Sequence, residues 1–183
     1  YEGTDMSEDY PDLPLSSQSL SRMLSRIGES TANLEFSRRL IQQISTCSTL
    51  VYDITSVSSY SQSISLLEYG YNRDGLDLPQ INLSLIVDKD LGIPVMYDLY
   101  PGSIADISTL KNTIKKIAAQ GVKRYTMIMD RGFFSTDNIE AMVSSDLSFI
   151  IPPTNNLKNV KEAISAIHQR IDDPEYLKLY EKE

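Results

Sequence analysis

Two aspartates, Asp53 and Asp130, interrupt apolar runs in this chain. Asp53 follows "STLVY", and Asp130 follows "YTMIM" and precedes Arg131 and Gly132. A carboxylate at the mouth of a buried strand is costly unless a partner uses it. Two carboxylates brought close repel each other, and neither keeps its charge readily without a cation. A hard divalent ion such as Mg²⁺ resolves the conflict, because it takes oxygen ligands and commonly keeps waters plus one or two carboxylates. With two ions roughly 3.5–4 Å apart, one activates a water or a 3′-hydroxyl while the other steadies the departing oxygen of a phosphodiester. Asp53 and Asp130 are therefore candidate metal ligands and catalytic residues, with Mg²⁺ as the cofactor and Mn²⁺ as a substitute. The plainer alternatives are that Asp53 caps a loop and that Asp-Arg-Gly is an ordinary turn.

Other reactive side chains offer less. Asp106 reads as a helix cap. Arg131 could touch a phosphate, hold Asp130 or hold a helix end. His168, the only histidine, lies in a polar tail and decorates a helix. Thr55 stands two residues after Asp53, where a phosphatase of the haloacid dehalogenase kind would need a second Asp. Cys47 is the only cysteine. It permits no disulfide framework and no zinc cluster, and a reducing cytoplasm is the simplest compartment.

These residues must be positioned by a scaffold of limited size. The chain has 183 residues, 41% hydrophobic, enough for one domain with a real core. No apolar run approaches the roughly 20 residues of a membrane span. The start lacks both an initiator Met and the features of a signal peptide, which reads as an excised fragment. Net charge is −8, which argues against a general nucleic-acid surface. The acid is concentrated at the ends, leaving the middle near neutral: Glu2, Asp5, Glu8, Asp9 and Asp12 at one, Asp172, Asp173, Glu175, Glu181 and Glu183 at the other.

Residues 1–14 read as a flexible acidic leader and 15–46 as a helical segment. In that segment Leu20, Met23, Leu24 and Ile27 share one face, with Ser16 or Ser17 to start the helix and Gly28 to end it. A second pattern runs from Leu34 to Ile44. Arg22, Arg26, Arg38 and Arg39 leave room for a helix-turn-helix DNA reader beside the commoner reading of two amphipathic helices on a core. Residues 47–154 alternate differently. "STLVYDIT" is a strand ending near Asp53, and a polar excursion follows from Ser58 to Pro79. "INLSLIVD" and "IPVMYDLY" are strands joined through Lys89–Gly92. Ile107, Leu110, Ile114 and Ile117 mark a helix. "RYTMIMD" is apolar on both faces and so central in a covered sheet. A short helix starting at Ser135 or Thr136 leads to the strand "LSFIIPP", and 155–183 is a polar, partly helical tail. The order β-β-β-α-β-α-β makes an α/β mixed sheet flanked by helices, the chain order of the ribonuclease H-like fold. In that fold the first and fourth strands lie parallel and adjacent, which brings Asp53 and Asp130 to neighbouring strand ends.

Three stretches resemble the DDE transposases of bacterial and archaeal insertion sequences, in the IS-four-like group. "LVYDITS" is similar to that family's first-carboxylate strand. "EYGYNRDGLDLPQINLSLIVDKDLGIPVMYDLYPGSIADISTL" is similar to its Gly-Tyr-Ser-Arg-Asp segment, the Leu-Pro-Gln lead-in to the second strand, and the hairpin and Pro-Gly turn. "MIMDRGFFS" is similar to its second-carboxylate strand. The resemblance, over residues 48–154, implies Mg²⁺-dependent nicking of transposon-end DNA and attack of the freed 3′-hydroxyl on target DNA. It also implies work as a homodimer when full length. Asp53 and Asp130 match the first two acids of the triad. The third, a Glu, belongs to a Tyr, Arg, Glu, Lys motif; no Tyr here is followed by Arg at the third position, which reads as truncation. Glu162 and Glu175 match no such motif. A free-standing ribonuclease H-like nuclease and a non-catalytic DNA-binding descendant of a transposase remain as alternatives. The polypeptide as it stands is expected to be catalytically silent and to hold DNA feebly; Mg²⁺-dependent nicking of DNA by the purified chain would contradict this.

Overall fold

The computed structural model describes residues 8–10, 12–13, 15–44, 48–72, 75–168 and 170. Cys47, Glu175 and most of the acidic leader and tail fall outside them. The chain divides into two compact units, Tyr1–Ser45 and Thr46–Glu183.

The first unit holds two helices, α1 (Ser17–Glu29) and α2 (Ala32–Gln43). Ser16 caps α1 by accepting the Ser19 N–H at 3.2 Å. The helix runs past Gly28 to Glu29, so that glycine does not end it; Ser30 is the C-cap instead. In α2, Glu35 meets Arg38 at 2.8 Å and Arg39 at 3.0 Å. The bond to Arg39, then that to Arg38, holds the Glu35 carboxyl below its ordinary range. Two of the four arginines are thereby engaged on their own helix.

The second unit is built on one five-stranded sheet of order β3-β2-β1-β4-β5. Its strands are β1 (Thr49–Ser58), β2 (Gln80–Asp88), β3 (Ile93–Pro101), β4 (Thr126–Met129) and β5 (Ser148–Ile150). Between them lie α3 (Asp106–Ala119) and α4 (Thr136–Ser144), and α5 (Lys158–His168) follows β5. The first three strands pair antiparallel, while β4 and β5 join in parallel through helical crossovers. This is the mixed α/β sheet of the ribonuclease H-like chain order, with β1 and β4 side by side.

Period-two burial places Leu50, Tyr52 and Ile54 of β1 on the inner face, together with Ile86, Met127 and Met129 from the neighbouring strands. Leu110, Ile114 and Ile117 of α3 are buried, as the 3-4-3 spacing requires. The core has a polar seam. Tyr52, only 1% exposed, shares its hydroxyl with Thr109 at 2.8 Å and receives the Thr113 hydroxyl at 3.1 Å. The first strand thus grips α3 by hydrogen bonds as well as by packing.

Three expectations need correction. Strand β1 does not end near Asp53; it continues to Ser58, because its antiparallel register with β2 extends to Ser58↔Gln80. Asp106 is not a cap but the first residue of α3, with Ala105 in the cap position and no side-chain cap bond there. Its negative charge suits the first turn through the helix dipole. Strand β4 buries Met127 and Met129, whereas Thr126 and Ile128 are only half-buried, so its two faces are not equally covered.

Burial pushes the Tyr52 phenol up to about 12, and burial does the same to Tyr125. Each ordinarily ionises near 10.0, so the folded chain keeps both protons to higher pH than the unfolded chain does. The stability they contribute is full below pH 10 and is lost as pH rises towards 12, on the order of 2 kcal/mol for each. Denaturant titrations across that window should show the loss, and Tyr52→Phe should remove about half of it while costing about 1 kcal/mol at neutral pH through the lost hydrogen bonds. An unchanged slope in Tyr52→Phe would contradict this.

Candidate functional site

The register of the β1–β4 pair decides where the two candidate acids lie. It runs from Thr49↔Thr126 to Tyr52↔Met129. Asp53 is the next residue on β1 and Asp130 the first residue after β4, and neighbouring strands stand about 4.8 Å apart. Tyr52 and Met129 are buried, while Asp53 and Asp130 are exposed, so both acids turn to the side away from the core. Asp53 lies mid-strand in β1 but at the limit of the β4 pairing, where the shorter strand stops. The two residues thus lie one position past the last β1–β4 register pair, on neighbouring stretches of chain.

Strand β4 stops because the chain turns at once into a short 3-10 turn, Arg131–Phe133. Asp130 is its N-cap: extended at φ −79°, ψ 172°, it accepts the Gly132 N–H through Oδ1 at 2.8 Å. That bond orients the carboxylate and leaves Oδ2 for another partner. Gly132 permits the arrangement, since a Cβ there would stand 2.9 Å from Asp130 Oδ1. The ordinary-turn reading of Asp-Arg-Gly is thus correct as local structure, and it leaves Asp130 exposed.

Residues beneath the acids fix their spacing. Phe133, fully buried, packs against Tyr52 with ring centroids 4.8 Å apart and a 46° tilt. One partner immediately precedes Asp53 and the other follows Asp130 by three residues. Asn138, buried in the first turn of α4, donates its side-chain amide to Phe133 O at 2.9 Å and Ile107 O at 2.8 Å. It ties the turn after Asp130 to the start of α3. Reading the sequence missed both devices. A signal for the second was present: Asn138 stands one residue before Ile139 in a helix whose inner face should be apolar.

A second support lies under the Pro-Gly turn. Gln80 donates to Tyr71 O at 2.9 Å and Asn82 Oδ1 at 3.2 Å, and Asn82 donates to Ile104 O at 2.9 Å. A Cβ on Gly102 would stand 2.3 Å from both Gln80 O and Glu68 O, so only glycine fits where the turn crosses β2.

The remaining candidates are apart from the pair. His168 is the last residue of α5, and Glu162 of the same helix faces Lys158 at 3.7 Å. Among the described residues no group of three His, Cys, Asp or Glu side chains is arranged to hold a metal. No helix among them is long and apolar enough to cross a membrane.

No curated protein sequence matches the chain. Among solved structures it is similar to the piggyBac transposase in a synaptic complex with hairpin DNA, at 12% identity and TM-score 0.47 over 82% of this chain. It is also similar to the Mos1 transposase in a paired-end complex with the left transposon end, at 10% identity and TM-score 0.40 over 96% of this chain. A Mos1 mariner paired-end complex with Mn matches at 10% identity and TM-score 0.41 over 95%. The chain spans 33% of the piggyBac chain and 69% and 64% of the two Mos1 chains. The sequence model of the transposase DDE domain matches residues 44–183, most of the chain. On that match, the chain belongs to the transposase DDE domain family.

Proposed function

We propose that the chain is part of the catalytic core of a DNA transposase of the IS-four-like group, and that Asp53 and Asp130 are two of its metal-binding, catalytic acids. The observation carrying this reading is the pair of exposed carboxylates on adjacent parallel strands in a DDE-domain chain. The donor set suits Mg²⁺ or Mn²⁺: both groups are hard oxygen ligands, and one is already oriented by the Gly132 N–H. A bound divalent ion would supply Lewis-acid activation of the attacking oxygen and charge relief at the departing one. The chain's own part is to hold two oxygens rigidly. Tyr52 and Phe133 pack the middle of β1 against the turn after β4, and Asn138 anchors that turn. Rigid placement of ligands is what preorganises such a site before substrate arrives.

A third acid completes the site in this reading, drawn from the Tyr, Arg, Glu, Lys motif that the resemblance calls for. A free-standing nuclease would need three acids together here, and the described residues supply no such group. DNA at the transposon ends and the target are the proposed partners. A homodimer and a cytoplasmic location complete the proposal.

Metal binding tests the role of the pair without requiring turnover. Calorimetric titration of the chain with Mn²⁺ should give an affinity that Asp53→Asn and Asp130→Asn each lower by more than about tenfold, as ligand-shell changes do. Equal affinity in wild type and both variants would overturn the assignment. Gly132→Ala, whose methyl crowds Asp130 Oδ1, should weaken Mn²⁺ binding while the far-UV circular dichroism stays native; an unaltered affinity would show that the carboxylate orientation is immaterial.

A further inference from the structure

Two cavities meet at the tip of β4. One, of about 380 Å³, is walled by Asn82, the turn Gly102–Asp106 and Gly132. The other, of about 550 Å³, is walled by Arg131, Phe134, Thr154, Asn155 and Asn156. Ile107 and Gly132 line both, so the two adjoin at the turn that follows Asp130.

The larger cavity has an unusual donor set for a chain of net charge −8. It is lined by a guanidinium, two primary amides and a hydroxyl, and by no carboxylate. Arg131 is exposed, and the ion pairs among the described residues engage other cations: Arg38, Arg39, Lys89, Lys111, Lys116 and Lys158. None of those ion pairs joins it to the neighbouring Asp130. The main chain at Arg131 is nonetheless fixed, with its carbonyl accepting the Phe134 N–H at 3.1 Å. A rigid stem carrying a free, planar, five-donor group beside neutral donors matches the tetrahedral oxygens of a phosphate diester. Such contacts position a nucleic-acid backbone without reading its bases.

We propose that the larger cavity seats the sugar-phosphate backbone of the DNA strand flanking the cut, with Arg131 gripping one phosphate and Thr154, Asn155 and Asn156 contacting the same stretch. The inference rests on the reading of Asp53 and Asp130 as a phosphodiester-cutting pair, and it adds what holds the strand in line with them. A cation next to the acids also offsets their repulsion of an incoming polyanion.

Binding of a short DNA duplex to the full chain in low salt with EDTA, followed by fluorescence anisotropy, tests it. Arg131→Ala should weaken binding about tenfold and lower the slope of log K against log salt by about 0.9, the signature of one lost phosphate contact. Arg131→Lys should keep the slope, and Asn155→Ala with Asn156→Ala should weaken binding while leaving the slope unchanged. Inorganic phosphate at the duplex's concentration should not compete; if it does, the site is a simple anion pocket and the proposal falls. Duplex binding unaltered in both Arg131→Ala and the double asparagine variant would overturn this inference alone and leave the acid pair standing. Failure of the wild-type chain to bind duplex at all would overturn the inference, while the acid pair is judged separately by Mn²⁺ binding at Asp53 and Asp130.

Discussion

The packing of Tyr52 on Phe133 is the contact on which the site depends. Their rings lie 4.8 Å apart in the core, one on the residue before Asp53 in mid-β1 and the other three residues past Asp130. A tilted aromatic pair of this kind contributes about 0.5–1.5 kcal/mol beyond its buried area. Its position matters more than its energy. Tyr52 is also bonded to Thr109 and Thr113 of α3, and Asn138 bonds Phe133 O to the start of the same helix. The middle of β1 and the turn after β4 are therefore tied at three points, and neither can shift without breaking a buried contact.

That base accounts for an arrangement that would otherwise be unfavourable. Two exposed carboxylates at adjacent register positions repel, and nothing in their own chemistry keeps them together. The fold imposes the pairing through parallel alignment of β1 with β4, and β4 can be short because its far end turns at once into the Asp130–Gly132 hydrogen bond. Gly132 and Gly102 mark the two places where backbone must approach so closely that a side chain would collide, one beside Asp130 and one where the Pro-Gly turn crosses β2. Polar residues in the buried face of β2, Gln80 and Asn82, serve the loops around the site more than the core.

Much of this was legible in the residues, for reasons that are physical. Alternation in "LVYDIT" and the 3-4-3 spacing of Ile107, Leu110, Ile114 and Ile117 report directly which face is buried. The order of strands and helices then restricts the sheet to few topologies, because parallel crossovers are right-handed. The extent of β1 was not legible. Its pairing past Asp53 is decided by β2, a tertiary partner, and the segment "TSVSS" carries no strong strand signal of its own. Asp106 misled because a cap and a first-turn acid have the same composition and differ only in backbone angle. The Tyr52–Phe133 contact joins residues about eighty positions apart in sequence, and no local pattern announces a pair of that separation.

In the proposed reading Asp53 and Asp130 leave the sheet on the same side, close enough to share a cation. Anomalous diffraction from a crystal of the chain soaked in Mn²⁺ tests this most directly. The account predicts a peak in contact with oxygens of both carboxylates. Saturating Mn²⁺ that leaves no density between them, or a structure in which the two side chains leave the sheet on opposite faces, would contradict it.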